Sequence, residues 1–153
     1  MMKIKHAKAV LLSGLILAAP FAVAHDGATG VVKQRMDAMG KIAAHLKSVN
    51  AMLRGTAELD TEAVQAAIDE IGMIARHMPD MFPEGSDAAP SEAGPKIWTD
   101  KADFDAKFAD LANAATAMSE AAASGDNSAM GQAFGGLAKT CKGCHADYRI
   151  NRD

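Results

Sequence analysis

The feature that most constrains this chain is a Cys-x-x-Cys-His motif at residues 141–145, close to its carboxyl end. Two thiols at this spacing, followed at once by an imidazole, are the attachment signature of a c-type haem. Each thiol can add to a porphyrin vinyl group to form a thioether, and the histidine can present a ring nitrogen to the iron. On a helix Cys141, Cys144 and His145 share one face, so the fold must accommodate a porphyrin there.

Three other interpretations of the two cysteines are weaker. A thioredoxin-like Cys-x-x-Cys follows a strand, and the chain has no strand pattern. A zinc site would lack a fourth ligand, because Cys141 and Cys144 are the only cysteines and no histidine follows His145. A disulfide across two residues would constrain almost nothing. The motif therefore predicts one covalently bound haem c, with its iron.

Residues 1–24 have the composition of a cleaved export signal. Lys3, Lys5 and Lys8 form a basic start, and an almost uninterrupted apolar run follows from residue 9 to residue 23. Small residues around Ala24 suit a cleavage site. The alternative is an uncleaved membrane anchor, but the run is short for a span. We therefore expect a signal peptide over 1–24, one domain over 25–153 and a periplasmic location.

The charge of the expected mature chain is acidic. Removing 24 of 153 residues removes three of 16 basic residues and none of 19 acidic ones, which leaves 129 residues and a formal charge of −6. Such a chain can form one domain with a buried core. Its charge argues against nucleic acid and anionic membranes as partners. It would suit a basic redox partner, although plain solubility explains it equally well.

Four segments carry apolar residues at spacings of three and four, which predicts four amphipathic helices. They cover about 29–53, 61–78, 99–124 and 127–150. Asp60 or Thr61 is expected to cap the second helix and Thr99 the third. The connection over 80–97 contains three prolines and is long for a helix bundle. Its apolar residues lead us to expect a packed connection.

Four helices of this length predict an all-α fold, an antiparallel up-down-up-down four-helix bundle. The first and last helices are then antiparallel neighbours. Cys141 and Cys144 fall on the apolar stripe of the last helix, at spacings of three and four from its other apolar residues. We therefore expect the haem to lie between the first and last helices.

A haem motif at the carboxyl end of a four-helix chain resembles the class II cytochromes c, the family of cytochrome c' and cytochrome c-556. Three fragments carry this resemblance, namely CKGCHADYR at 141–149, VVKQRMDAM at 31–39 and PKIW at 95–98. The haem motif is the most specific of them. The resemblance implies one covalently bound haem c, with Cys141 and Cys144 as thioether sites and His145 as the proximal iron ligand.

The resemblance also implies roles for two arginines. Arg35 matches a first-helix arginine that lies near a haem propionate, and Arg149 matches an arginine close to the proximal face. Four residues separate Arg149 from His145, which on a helix brings the two side by side. A solvated surface charge is the plainer interpretation of each arginine.

The two branches of the family differ at the sixth position of the iron. In the cytochrome c' branch this position is open, the iron is high-spin and the proteins bind nitric oxide and carbon monoxide. In the low-spin c-556 branch a first-helix methionine ligates the iron. The position that faces iron lies four residues after the arginine matching Arg35, which makes Met39 the expected ligand. Met36 is the rival ligand. The third interpretation is that Met39 is a core methionine that does not ligate the iron, which leaves the sixth position open.

We therefore expect a low-spin His/Met haem in a periplasmic single-electron carrier, closer to the c-556 type. The alternative is a five-coordinate gas-binding protein. We do not expect an enzyme, because a peroxidase needs a distal acid–base group and Asp37, near Met39, should point away. A second histidine ligand, His45 or His77, is a minor alternative. The expected partners are unidentified redox proteins, and the chain is expected to be a monomer or a homodimer.

Overall fold

The computed structural model describes residues 27–150 and is built from helices in that range. The helices are α1 (Gly30–Leu53), α2 (Thr61–His77), α3 (Lys96–Thr99), α4 (Lys101–Ser124) and α5 (Asn127–Tyr148), with a 3-10 turn at Met78–Met81. The predicted signal peptide, residues 1–24, lies outside the described residues. None of the helices within 27–150 has the length and apolar character needed to cross a membrane.

The four long helices form the predicted four-helix bundle, and α3 is a single turn that precedes α4. Helix α2 packs extensively on α4, and α4 packs extensively on α5. By contrast α1 and α5 barely touch each other. The two helices that were expected to enclose the haem are therefore held apart.

The core lies between the apolar stripes of the four long helices. The largest fully buried aliphatic side chains on these helices are Val49, Val64, Ile68, Ile71, Met118, Met130 and Leu137. Met78 of the 3-10 turn and Ile97 of α3 are also fully buried. Phe82, Phe104, Phe108 and Tyr148 form an aromatic cluster at one end, with neighbouring ring centroids 4.8–5.1 Å apart in edge-to-face geometry. This cluster joins the connection after α2 to α4 and α5.

Side-chain capping explains where α2 and α5 begin. Asp60 and Asp126 each accept hydrogen bonds from backbone N–H groups in the first turn of the following helix. The prediction that Thr99 caps the third long helix is wrong. Thr99 ends α3, and α4 begins after Asp100, whose non-helical backbone (φ −135°, ψ 52°) separates the two helices.

The connection between α2 and α3, residues 78–95, is packed as expected, and the structure shows that it lies against the end of α5. The Gly94 N–H donates to the carbonyl oxygen of Tyr148 at 2.8 Å, and the Ile150 N–H donates to the carbonyl oxygen of Glu92 at 2.9 Å. The indole N–H of Trp98 donates to the Phe82 carbonyl oxygen at 3.1 Å. These bonds fix the connection beside the residues that follow the Cys-x-x-Cys-His motif.

Gly94→Ala should destabilise this junction. A Cβ atom at this buried position would lie 2.9 Å from the Tyr148 carbonyl oxygen, so the backbone would have to shift. We expect the free energy of unfolding in urea to fall by about 1–3 kcal/mol. Gly135→Ala is the control, since its Cβ would meet nothing within 4 Å and should stabilise α5 by up to about 1 kcal/mol. Equal losses in the two variants would contradict this account.

Candidate cofactor site

A cavity of about 500 Å³ lies between α1 and α5 and reaches α4. This volume is within the usual range for cofactor sites. The walls are mainly apolar, with Met36, Met39, Ile42 and Leu46 from α1, Phe104, Phe108 and Leu111 from α4, and Phe82 from the connection. A flat apolar ring would therefore be shielded from water on both faces.

The cavity opens between α1 and the end of α5. Four of its lining residues are exposed, namely Gly40 and Ala43 on α1, and His145 and Arg149 at the end of α5. The other lining residues are buried or half-buried. We call the edge marked by these four residues the crevice mouth.

The predicted attachment residues all line this cavity from α5. Cys141 and Cys144 are half-buried and are not joined to each other by a disulfide. Burial raises the pKa of both thiols, to about 11 for Cys144, where the neighbouring Cys141 adds to the effect. Thiol-exchange enzymes need the opposite, a lowered pKa. The electrostatics thus argue against a thioredoxin-like role.

His145 shares the cavity wall with the two cysteines. Although part of the residue is exposed, partial burial of its imidazole in the cavity wall lowers the pKa, Arg149 lowers it further, and Glu92 opposes the change. The ring is therefore neutral at neutral pH, which is the form that binds a metal. Within residues 27–150 no group of three or more His, Cys, Asp or Glu side chains is arranged to hold a metal ion by itself. The zinc interpretation therefore finds no support in this range.

Arg35 is buried, with 4 % of its surface exposed, and lies on the cavity wall. Its guanidinium donates to the hydroxyl of Ser86 at 2.8 Å, and also to the Ser86 carbonyl oxygen and the Ser91 hydroxyl. It stacks on the Phe82 ring, 4.7 Å from the centroid. Burial lowers the pKa of Arg35, and Asp87 opposes that change. Arg35 thus fastens the connection to α1.

The resident group that this site implies is haem c, and the residues fit it. Two thiols and a neutral imidazole lie on one helix face, as thioether formation and iron ligation require. The apolar walls suit the ring. The guanidinium of Arg35 and the hydroxyl of Ser91 provide a polar end that suits an anionic substituent.

The α1 wall carries both predicted methionine ligands. Met36 and Met39 are half-buried and line the cavity. Asp37 is about half exposed and forms an ion pair with Lys33 at 2.6 Å, so it points away from the cavity as expected. Neither of the alternative histidines lines the cavity, and His45 instead lies 3.0 Å from Glu70 of α2.

Arg149 lies at the crevice mouth and forms an ion pair with Glu92 at 2.5 Å. Sequence reasoning identified Arg149 and Arg35 but missed Glu92, Ser86 and Ser91. These three residues lie in a connection without periodicity, so no sequence pattern indicates which of its polar side chains turn inward. Only the folded connection brings them to the cavity.

A polar network joins α4 to α5 beside the motif. The Tyr148 hydroxyl donates to the Asp103 carboxylate at 2.5 Å. The ammonium group of Lys107, which lines the cavity, lies 3.8 Å from Asp103 and 3.5 Å from Asp147. The hydrogen bond from Tyr148 lowers the pKa of Asp103, and burial raises the pKa of Tyr148.

Tyr148→Phe should raise the pKa of Asp103 towards its ordinary value in an NMR titration. A lowered carboxyl pKa contributes stability above the unfolded-state pKa of about 3.9, and this contribution is lost as the pH falls through the folded-state pKa. The stability difference between wild type and variant should therefore shrink in acid. Lys107→Met is the control. It should raise the pKa of Asp103 less, because the charge of Lys107 lowers that pKa less than the hydrogen bond from Tyr148 does. A larger effect of Lys107→Met would contradict this assignment.

Arg35→Met should loosen the connection while keeping a similar apolar stem. It removes charge-assisted hydrogen bonds to Ser86 and Ser91. We expect the free energy of unfolding in urea to fall by roughly 1.5–3 kcal/mol, and amide hydrogen exchange over residues 82–95 to become faster. Lys33→Met is the control, because it removes an exposed ion pair on the same helix. It should lower the free energy of unfolding by less than about 0.5 kcal/mol. Unchanged exchange in Arg35→Met would refute the fastening role.

Comparison with known proteins identifies similar chains over the whole described range. A family model described as Cytochrome C' matches residues 30–149. The chain is 36% identical over 143 residues to a cytochrome c' of Rhodopseudomonas palustris, which covers 92% of this chain and 94% of the relative. It is 33% identical over 151 residues to a cytochrome c-556 of Agrobacterium fabrum, which covers 99% of each chain.

A similar fold occurs in solved structures. The structure of cytochrome c prime from Shewanella frigidimarina is 36% identical, covers 79% of this chain and 94% of its own, and superposes with a TM-score of 0.74. Relatives named cytochrome c' and relatives named cytochrome c-556 thus match this chain at nearly equal sequence identity. Overall similarity therefore does not separate the two modes of iron ligation.

Proposed function

The chain belongs to the cytochrome c' family of c-type haem proteins, and on that basis we propose that it is a periplasmic single-electron carrier. Cys141 and Cys144 would form the thioether bonds, His145 would be the proximal iron ligand, and Met39 the distal one. Residues 1–24 would be removed on export, leaving one domain over 25–153. Haem c supplies a reversible one-electron couple at its iron.

The observation that carries this proposal is the placement of Met39 and His145 on different helices around one cavity. A thioether is a soft ligand that favours low-spin iron and a higher reduction potential than an anionic ligand gives. The apolar side chains of α1 and α4 that line the cavity would exclude water from the ring. Arg35, held by Ser86 and Ser91, would face a haem propionate.

A role in electron transfer agrees better with this cavity than turnover of peroxide does. A peroxidase uses a distal acid–base group near the iron. On the α1 wall the only charged lining residue is Arg35, and Asp37 is exposed and paired with Lys33. We therefore propose a binding and redox protein without its own catalytic residues.

The second candidate is a five-coordinate haem that binds diatomic gases. It is favoured by the relatives that carry the name cytochrome c', and by one solved structure, a nitric oxide complex of a mutant cytochrome c prime from Alcaligenes xylosoxidans. Met39 would then pack over the iron without ligating it. Another similar cytochrome c' is a dimer whose dissociation is controlled by ligand. A homodimer therefore fits this second candidate as well.

Absorption spectra of both oxidation states test the choice between these candidates. We expect low-spin spectra and no binding of carbon monoxide at equilibrium by the reduced protein. Met39→Ala should convert the iron to high-spin and open it to carbon monoxide, because alanine has no donor atom. Met36→Ala, on the same cavity wall, is the matched control and should leave both spectra low-spin.

The reverse pattern would reassign the ligand to Met36. A high-spin wild-type spectrum with ready carbon monoxide binding would replace the electron-carrier proposal with the gas-binding one.

A further inference from the structure

The charges of this chain are separated between two pairs of helices. Helix α1 contains four basic residues and one acidic residue, and α5 contains two basic residues and one acidic, so together they carry a formal charge of +4. The rest of residues 27–150 contains six basic and fifteen acidic residues, a formal charge of −9 with histidines neutral. The two helices that border the crevice mouth are thus basic in an acidic protein.

Two lysines of this basic pair lie beside the crevice mouth. Lys47 follows Ala43 by four residues and Gly40 by seven, so it occupies the same face of α1 as these two exposed lining residues. Lys142 precedes His145 by three residues, one turn away along α5. We call Lys47 and Lys142 the basic rim.

The basic rim carries charge that the described part of the protein leaves uncompensated. Both lysines are exposed, and no carboxylate within residues 27–150 lies within 4 Å of either ammonium group. The acidic side chains of the same two helices are engaged elsewhere, since Asp37 pairs with Lys33 and Asp147 with Lys107. An approaching negative group would therefore meet a local positive potential at the crevice mouth.

We propose that the crevice mouth, bordered by Lys47 and Lys142, is the docking surface for a redox partner with an acidic surface patch. The identity of the occupant rests on the proposed electron-carrier function, whereas the attraction of anions to this site does not. The net charge by itself would suggest a basic partner. The distribution of charge reverses that expectation, because a partner within electron-transfer reach of the cavity meets α1 and α5 first.

A protein fits this surface better than an anionic membrane does. The basic rim is confined to two side chains at the mouth, and fifteen acidic residues lie on the remainder of the described chain. An extended anionic plane would be repelled by that remainder, while a small acidic patch would touch only the rim.

The test uses the haem-loaded protein and ferricyanide, a small trianion that accepts one electron from the ferrous haem and becomes ferrocyanide. Stopped-flow rates are measured from low to high salt. We expect the wild-type rate to fall as salt rises, the signature of attraction, although the whole protein is acidic. A rate that rises with salt would overturn the proposal.

Charge reversal locates the attraction. Lys47→Glu with Lys142→Glu should lower the low-salt ferricyanide rate about fivefold and reverse its salt dependence. The control is Lys41→Glu with Arg76→Glu, which changes the net charge equally at exposed positions away from the mouth. Lys41 lies about 120° around α1 from Lys47. The control pair should change the rate less than about twofold, and an equal effect of both pairs would overturn the proposal.

Two further measurements separate this proposal from its rivals. Hexacyanochromate(III), a paramagnetic anion inert to redox, should broaden the amide resonances of Gly40, Ala43, Lys47 and Lys142 in the diamagnetic ferrous protein, with carbon monoxide added if the iron is five-coordinate. Broadening elsewhere would refute the docking surface whatever the iron ligation. Sedimentation with vesicles of phosphatidylcholine and phosphatidylglycerol should leave the protein in solution. Binding to them would replace the protein partner with a membrane.

Discussion

The separation of α1 from α5 is the constraint on which the rest of the structure depends. A four-helix bundle gains stability when neighbouring helices bury their apolar stripes against each other. Here α2, α4 and α5 do so, while α1 and α5 barely touch and leave a cavity of about 500 Å³. Small residues at Gly40 and Ala43 leave its edge open. A cofactor bound there would complete the core and stabilise the fold by linkage.

Helix α1 lacks the packing that α5 would otherwise supply, and it is held instead by packing on α2 and by the connection over residues 78–95. Arg35 reaches from α1 into the connection, Gly94 binds the last residue of α5, and Glu92 binds the residues that follow it. A buried guanidinium is costly unless its donors are satisfied, so Arg35 orders the serines around it. The connection thereby joins α1 to the end of α5, the two helices between which the cavity opens.

The same arrangement gives the molecule an uneven electrostatic surface. Lys47 and Lys142 of α1 and α5 lie beside the opening, whereas the connection and the other two long helices carry most of the carboxylates. Net charge describes the behaviour of the molecule at long range, but a partner at the cavity responds to charges within about one Debye length. The proposed docking surface follows from this difference in range.

The sequence by itself determined the cofactor chemistry, the four helices and the side of α5 that lines the cavity, because these depend on residue types and short spacings along one chain. It also indicated Arg35, Arg149 and Met39, through resemblance to a family. It misplaced the start of α4, because Thr99 suits a cap whereas the backbone turns at Asp100. Tertiary structure alone decided the partners of Arg35, the pairing of Glu92 with Arg149 and the position of the crevice mouth. These depend on how an aperiodic connection folds across the bundle, and no local spacing encodes such contacts.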